Sequence, residues 1–228
     1  MPEIGRSTQM IALPTPERIF TPAVTVMTIL IIVGFALARY AQGFVMNYLA
    51  LNPQNVLRGM VWQLVSYSFI NSCAWNMIFN GVVLLFIGSA IEREWKTKSF
   101  VLLWLVVTVA CGVIWMMVNL FLRATRGQMF LGMGTDAFVF GIIGTFGLLF
   151  RNKRYWVYFA TVKAQHLALI FIGMGLVLGI AQPIIWIWVL GALVAYVYVK
   201  LRWRLASEHA AGSAYVARRE QGGFVDID

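Results

Sequence analysis

Residues 62–92 read WQLVSYSFINSCAWNMIFNGVVLLFIGSAIE, a loop rich in aromatic and amide residues that runs into an apolar helix. Asn76 and Asn80 are four residues apart in that helix, so their side chains point from the same face. An amide that stays unpaired in a medium without water is costly. We therefore predict that this face packs against other helices and not against lipid.

The composition places the chain in a lipid bilayer. Hydrophobic residues make up 61% of its 228 residues and charged residues only 12%, whereas a soluble domain is about 45–50% apolar and about 25% charged. One soluble core cannot bury this excess, so we predict an all-α, polytopic membrane protein. The net charge of +9 lies mainly in short connectors. With no stacking platform or basic groove in the sequence, we expect no nucleic-acid partner.

Neither a metal nor a cofactor is expected. Cys73 and Cys111 belong to no CxxC motif and to no Cys/His cluster, and both are interpreted as small apolar side chains. The first 20 residues are polar and lack the apolar segment of a signal peptide.

The apolar runs predict a six-transmembrane-helix bundle with a membrane-embedded first loop. The predicted spans are residues 22–40, 74–91, 99–122, 135–150, 166–181 and 184–200. The loop at 41–73 contains Trp62 and Tyr67, residue types that favour the headgroup level. Residues 92–98 are predicted as a charged connector, and residues 155–165 as an interfacial segment.

Three regions follow from these spans: a cytoplasmic N-terminal lead at 1–20, a six-helix transmembrane domain at 21–202, and a frayed cytoplasmic tail at 203–228. Both termini are predicted in the cytoplasm because only four of the 18 Lys and Arg residues then lie outside: Arg39, Arg58, Arg123 and Arg126. Such an excess of cations on the cytoplasmic side is typical of membrane proteins. We expect the protein in a prokaryotic inner (plasma) membrane.

Several short motifs share one order along the chain. Trp62-Gln63 lies in the first loop, Asn76-x-x-x-Asn80 opens the second span, and Gly134-Thr135-Asp136-Ala137 opens the fourth. Gly88 and Glu92 end the second span; Gly141, Gly144 and Gly147 continue the fourth; Trp188, Gly191 and Ala195 lie in the sixth.

This frame resembles the rhomboid family of intramembrane serine proteases over about residues 20–200. The resemblance implies a degenerate member, because Asp136 stands where the family has its serine and Trp188 where it has its base histidine. Asn76 replaces a second histidine, and only Asn80 is kept. The resemblance therefore implies an inactive homologue that is not an enzyme. It would bind other transmembrane proteins, as a client-handling factor or as a subunit of a larger membrane complex.

Two alternatives stay open. In the first, the protein is an active protease with a displaced nucleophile such as Thr135, although both histidines, His166 and His209, are predicted on the cytoplasmic side. In the second, it is a transporter or lipid-handling protein that uses Asp136 in a polar cavity. Thr145 is expected to bond back to its own helix.

Asp136 itself has two interpretations. It lies in the first turn of its helix, where a carboxylate caps free backbone N–H groups. Alternatively, it forms a polar binding site with amides that donate hydrogen bonds to it, namely Asn71, Asn76 and Asn80.

The remaining features are structural expectations. Gly141, Gly144, Gly191 and Ala195 are interpreted as helix-packing positions. The spacing Gly175-x-x-x-Gly179 suits close packing too, and could mark a face for another chain. Glu92 is interpreted as a helix end in water.

Overall fold

The computed structural model describes residues 20–127, 130–151, 154–157, 160–181 and 186–221. Helices make up most of this part of the chain, as the sequence predicts. The main helices are α1 (Pro22–Tyr40), α2 (Ala74–Val83, continued by a π-helical turn at Leu84–Gly88), α3 (Ser89–Arg126), α4 (Asp136–Leu149), α5 (Ala164–Ala181) and α6 (Trp186–Gln221).

Among the described residues, two helical stretches are long and apolar enough to cross a membrane, by length and composition. They are Pro22–Tyr40, which coincides with the first predicted span, and Ala74–Arg126, which combines α2 and α3. Asp136–Leu149 and Ala164–Val177 form shorter apolar helices.

The charged run at 92–98 separates the second and third predicted spans, as expected, but the helix breaks at one residue instead of over the whole run. One helical segment runs up to Trp95 and the next begins at Thr97, because Lys96 leaves the helical region, with φ 65° and ψ 157°. A single residue in this conformation bends the chain sharply, so α3 has two segments that meet at a kink.

Glu92 is not a helix end in water. It is 2% exposed, and its carboxylate accepts hydrogen bonds from the backbone N–H groups of Ala23 and Val24, each at 3.0 Å. The hydroxyls of Thr21 and Thr97 also donate to it. The carboxylate therefore caps the N-terminus of α1 and crosses the kink.

The first loop folds into short helical pieces that polar side chains hold together. Gln63 is fully buried; its amide nitrogen donates to the carbonyl of Asn47 at 3.0 Å, and its oxygen accepts from the backbone N–H of Asn52 at 3.1 Å. The pieces are Gln42–Phe44, Val45–Leu49, Pro53–Leu57, Gln63–Ser66 and Tyr67–Phe69.

Helix α4 lies at the centre of the fold, and most of its side chains are buried. It packs most extensively against α6, then α5 and α3. Small residues allow the close approach: a Cβ on Gly191 of α6 would overlap the carbonyl oxygen of Ala137. Because α3, α5 and α6 surround it, α4 has little contact with the surroundings of the bundle.

Of three local expectations, two differ from the structure. Residues 155–165, predicted as an interfacial segment, contribute to an antiparallel strand pair, β1 (Arg154–Val157) and β2 (Ala160–Lys163), and to the start of α5; their level in the membrane stays a prediction. The last helix extends to Gln221, well into the predicted tail, since its Ala-rich composition sustains helix. Thr145 does not bond back to its helix: its buried hydroxyl has no hydrogen-bond partner among the described residues.

Candidate functional site

The polar residues singled out from the sequence meet at one end of the bundle, where α2 and α4 both begin. The first loop brings Asn71 to this end, and the first two turns of α2 bring Asn76 and Asn80. Asp136 is the first residue of α4. The four side chains form one hydrogen-bonded network, as described below.

Asp136 is buried, at 5% exposure, and amides of the second helix hold its carboxylate. The Asn80 amide donates to Oδ1 at 3.0 Å and the Asn76 amide donates to Oδ2 at 3.1 Å. The residue before it, Thr135, makes no side-chain cap of α4 within the described residues. The carboxylate joins α2 to α4 through these two amides.

Asn71 and Thr135 extend the network to the first loop. The Asn71 amide donates to Thr135 Oγ1 at 3.2 Å, and its oxygen accepts from Asn80 at 3.3 Å. The Thr135 hydroxyl donates to the carbonyl of Ser68 at 2.6 Å. The proton of the Thr135 hydroxyl is therefore used in a hydrogen bond to the main chain.

Gly134 gives the turn into α4 its shape. Its φ is 127°, a conformation that residues with a Cβ rarely adopt. A Cβ at this position would also lie 2.5 Å from Oδ2 of Asp136. Its N–H donates to the carbonyl of Tyr67 at 3.2 Å, which fixes the turn against the loop.

One acceptor in the network lacks a donor among the residues that the structure describes. Asn80 is fully buried, and its Oδ1 has no hydrogen-bond partner within the described part of the chain. Asn76 is only half-buried, and its oxygen accepts one long bond, 3.5 Å, from Asn80. The site therefore combines the buried carboxyl group of Asp136 with an unpartnered acceptor, and it reaches the surface at Asn76.

Helix packing residues lie next to this site. A Cβ on Gly141 would lie 3.2 Å from the Gly191 carbonyl oxygen and 3.5 Å from Ala195 Cβ, and one on Gly144 would lie 3.4 Å from a Cβ of α6. Trp188 lies in the first turn of α6, one turn before Gly191, and its side chain falls outside the described part of the structure.

Gly175, the first glycine of the Gly175-x-x-x-Gly179 pair on α5, does not present an open face to another chain. A Cβ on Gly175 would lie 2.7 Å from the ring of Phe140 and 3.3 Å from a methyl of Val189. Gly175 therefore faces the interior of the bundle. Gly179 lies in the same helix, and its surroundings fall outside the described part of the structure.

Metal binding finds no support in the geometry. Among the described residues, no group of three or more His, Cys, Asp or Glu side chains could hold a metal ion. The site has one carboxylate, Asp136, surrounded by amides.

Two buried polar residues have roles that sequence reasoning missed. Glu92 caps a helix whose start lies about 70 residues earlier in the chain, and Gln63 fixes the first loop. A polar residue beside a run of apolar residues was the only signal, and it does not identify a distant partner.

Comparison with known families decides the assignment. A family model described as eukaryotic integral membrane protein (DUF1751) matches residues 19–210. The chain belongs to this family. The prediction of an integral membrane protein is thereby confirmed, because the match covers most of the chain, from the start of α1 into α6. None of the curated proteins matches the chain.

Two expectations from the sequence are wrong. The family match replaces the rhomboid assignment: the motifs behind it were short, and their glycines and amides also serve ordinary packing between membrane helices. The expected prokaryotic inner membrane is wrong as well, since the matched family is described as eukaryotic.

Proposed function

We propose that the protein is a non-enzymatic membrane protein that binds transmembrane segments of other proteins beside the network at the start of α4. In this proposal helices α1 to α6 each cross the bilayer, and the protein acts as a client-handling factor or as a subunit of a larger complex. The observation that carries it is the half-buried Asn76, which links a buried carboxylate to the surface of the bundle.

The side chains around Asn76 suit a helical partner. Trp75 is 77% exposed next to it. One turn further, Phe79 is half-buried, and its ring lies 6.1 Å from that of Phe171 on α5. A partner helix along this seam between α2 and α5 would cover apolar rings and reach Asn76 at one end.

The geometry argues against catalysis by Thr135. A nucleophilic hydroxyl needs a base within hydrogen-bond reach, whereas this hydroxyl donates to the carbonyl of Ser68. His166 lies near the other end of α4, because Gly147 meets Ala168 there. We expect a fluorophosphonate probe not to label the purified protein. Labelling that Thr135→Val abolishes would establish the enzyme alternative instead.

Gentle solubilisation tests the binding function. We would purify the protein, Asn76→Leu and the control Asn55→Leu from native membranes and quantify the membrane proteins that accompany each. Asn55 is a fair control because it is also half-buried and its amide donates one hydrogen bond, to the carbonyl of Asn47.

We expect a defined membrane protein to accompany the unsubstituted chain and Asn55→Leu and to be depleted with Asn76→Leu. The proposal fails if the three preparations contain the same membrane proteins, or none.

A further inference from the structure

The network at the start of α4 is chemically incomplete. Its carboxylate, Asp136, is bonded by the uncharged amides of Asn76 and Asn80. The amide of Asn80 is fully buried, and its oxygen has no hydrogen-bond partner within the described residues. A group with positive charge and hydrogen-bond donors would complement both oxygens.

A buried carboxylate is normally paired, because a lone charge away from water is costly. In membrane proteins, ionisable residues within the bilayer region typically face the bundle interior and pair with one another. An ammonium or guanidinium group would suit both the carboxylate and the unpartnered oxygen, since it carries positive charge and only hydrogen-bond donors. A guanidinium can bind a carboxylate and a neighbouring amide oxygen together.

The position of the site favours a cation on a transmembrane helix. Because α2 and α4 both begin here, the site lies near the end of the hydrocarbon layer, where a Lys or Arg near a helix end is tolerated. Asn76 is the half-buried member through which such a side chain would enter. Trp75 beside it is an exposed residue of the type found at that level.

We propose that the preferred partner is a transmembrane segment with an Arg or Lys near one end, whose cation pairs with Asp136 and the Asn80 oxygen. This inference rests on the proposed function and adds the chemistry by which the partner is chosen.

A pair of synthetic helices tests it. Both have about 20 leucines and a dansyl group, and one has a single Arg in its first turn in place of Leu. Each is titrated into phosphatidylcholine vesicles that contain the full-length protein. Energy transfer from the nine tryptophans of the protein reports binding. The titrations are repeated with Asp136→Asn, which removes the charge at nearly constant shape, and with Asp136→Glu, which keeps it.

We expect the Arg peptide to bind the unsubstituted protein about tenfold more tightly than the Leu peptide, which corresponds to about 1.4 kcal/mol. The preference should disappear in Asp136→Asn and return in part in Asp136→Glu. Unfolding measurements on the three proteins verify that each is folded.

The other outcomes separate the two proposals. Equal, tight binding of both peptides overturns the cationic partner and leaves the binding function intact, and so does a preference that survives Asp136→Asn. Binding of neither peptide overturns both. A lipid ammonium offers the same chemistry as Lys, so the titration is repeated with phosphatidylethanolamine vesicles. Loss of the Arg preference there would assign the site to lipid and overturn the peptide partner.

Discussion

Replacement of Glu92 by Ala should destabilise the protein far more than a surface substitution. The carboxylate accepts two backbone N–H groups at 3.0 Å, from Ala23 and Val24, and hydroxyls from Thr21 and Thr97. The hydroxyls can rotate to other acceptors, but the two N–H groups are fixed by the start of α1.

The magnitude follows from those two fixed donors. A hydrogen bond to a charged group contributes about 1.5–3 kcal/mol, so two give about 3–6 kcal/mol. Removal of the carboxylate also relieves the cost of burying it. We therefore expect Glu92→Ala to lower the free energy of unfolding by about 3–4 kcal/mol, more than the ~1 kcal/mol of an ordinary helix cap.

The assay is unfolding by sodium dodecyl sulfate in mixed micelles, followed by tryptophan fluorescence. Glu94→Ala is the control, because Glu94 lies on the same charged run and is exposed. Surface substitutions usually stay within about 0.5 kcal/mol. If Glu92→Ala and Glu94→Ala both fall in that range, then Glu92 does not hold α1 and the reasoning is refuted.

Further predictions use the same assay. Lys96→Gly should raise stability by about 1 kcal/mol, because φ 65° and ψ 157° are strained for any residue with a Cβ; a loss of stability would mean that the kink is not strained. Asn80→Leu should lower stability by about 0.5–2 kcal/mol, since the Asn80 amide donates a hydrogen bond to Asp136. Unchanged stability would show that this hydrogen bond does not stabilise the bundle. Gly191→Ala should lower it by about 1–3 kcal/mol, as the new methyl overlaps the backbone of α4. Gly81→Ala, in open space on α2, should instead be neutral or gain up to about 1 kcal/mol; equal losses in the two glycine variants would argue against the close contact of α4 with α6.

Features encoded by local periodicity could be predicted from the sequence. The first apolar run gives α1 with its bounds, Pro22–Tyr40, because Pro22 suits the first turn and the run has the length of a span. The spacing of Asn76 and Asn80 predicts an inward-facing side of α2, and Asn80 is indeed fully buried. Both inferences use residues within a few turns of one another.

Features that depend on residues far away in the sequence could not be predicted in this way. The charged run around Glu92 has the composition of a connector in water, and the helix does break at Lys96. The Glu92 carboxylate is nevertheless buried and caps α1, which lies far away in sequence. For Asp136, local reasoning left a helix cap and a polar site both open, and only the folded bundle shows that the amides of Asn76 and Asn80 reach the carboxylate. The function of the site stays a prediction, because nothing in the local pattern identifies a partner.

Photo-crosslinking at Trp75 in native membranes tests the central claim most directly. Benzoylphenylalanine would replace Trp75, which is 77% exposed beside the site, and in a control Phe121, which is 67% exposed on α3. Each is made with Asp136 and with Asp136→Asn. The account predicts an adduct with a defined membrane protein at position 75 alone, lost in Asp136→Asn. Lipid adducts only, or a protein adduct that persists without the carboxylate, would contradict it.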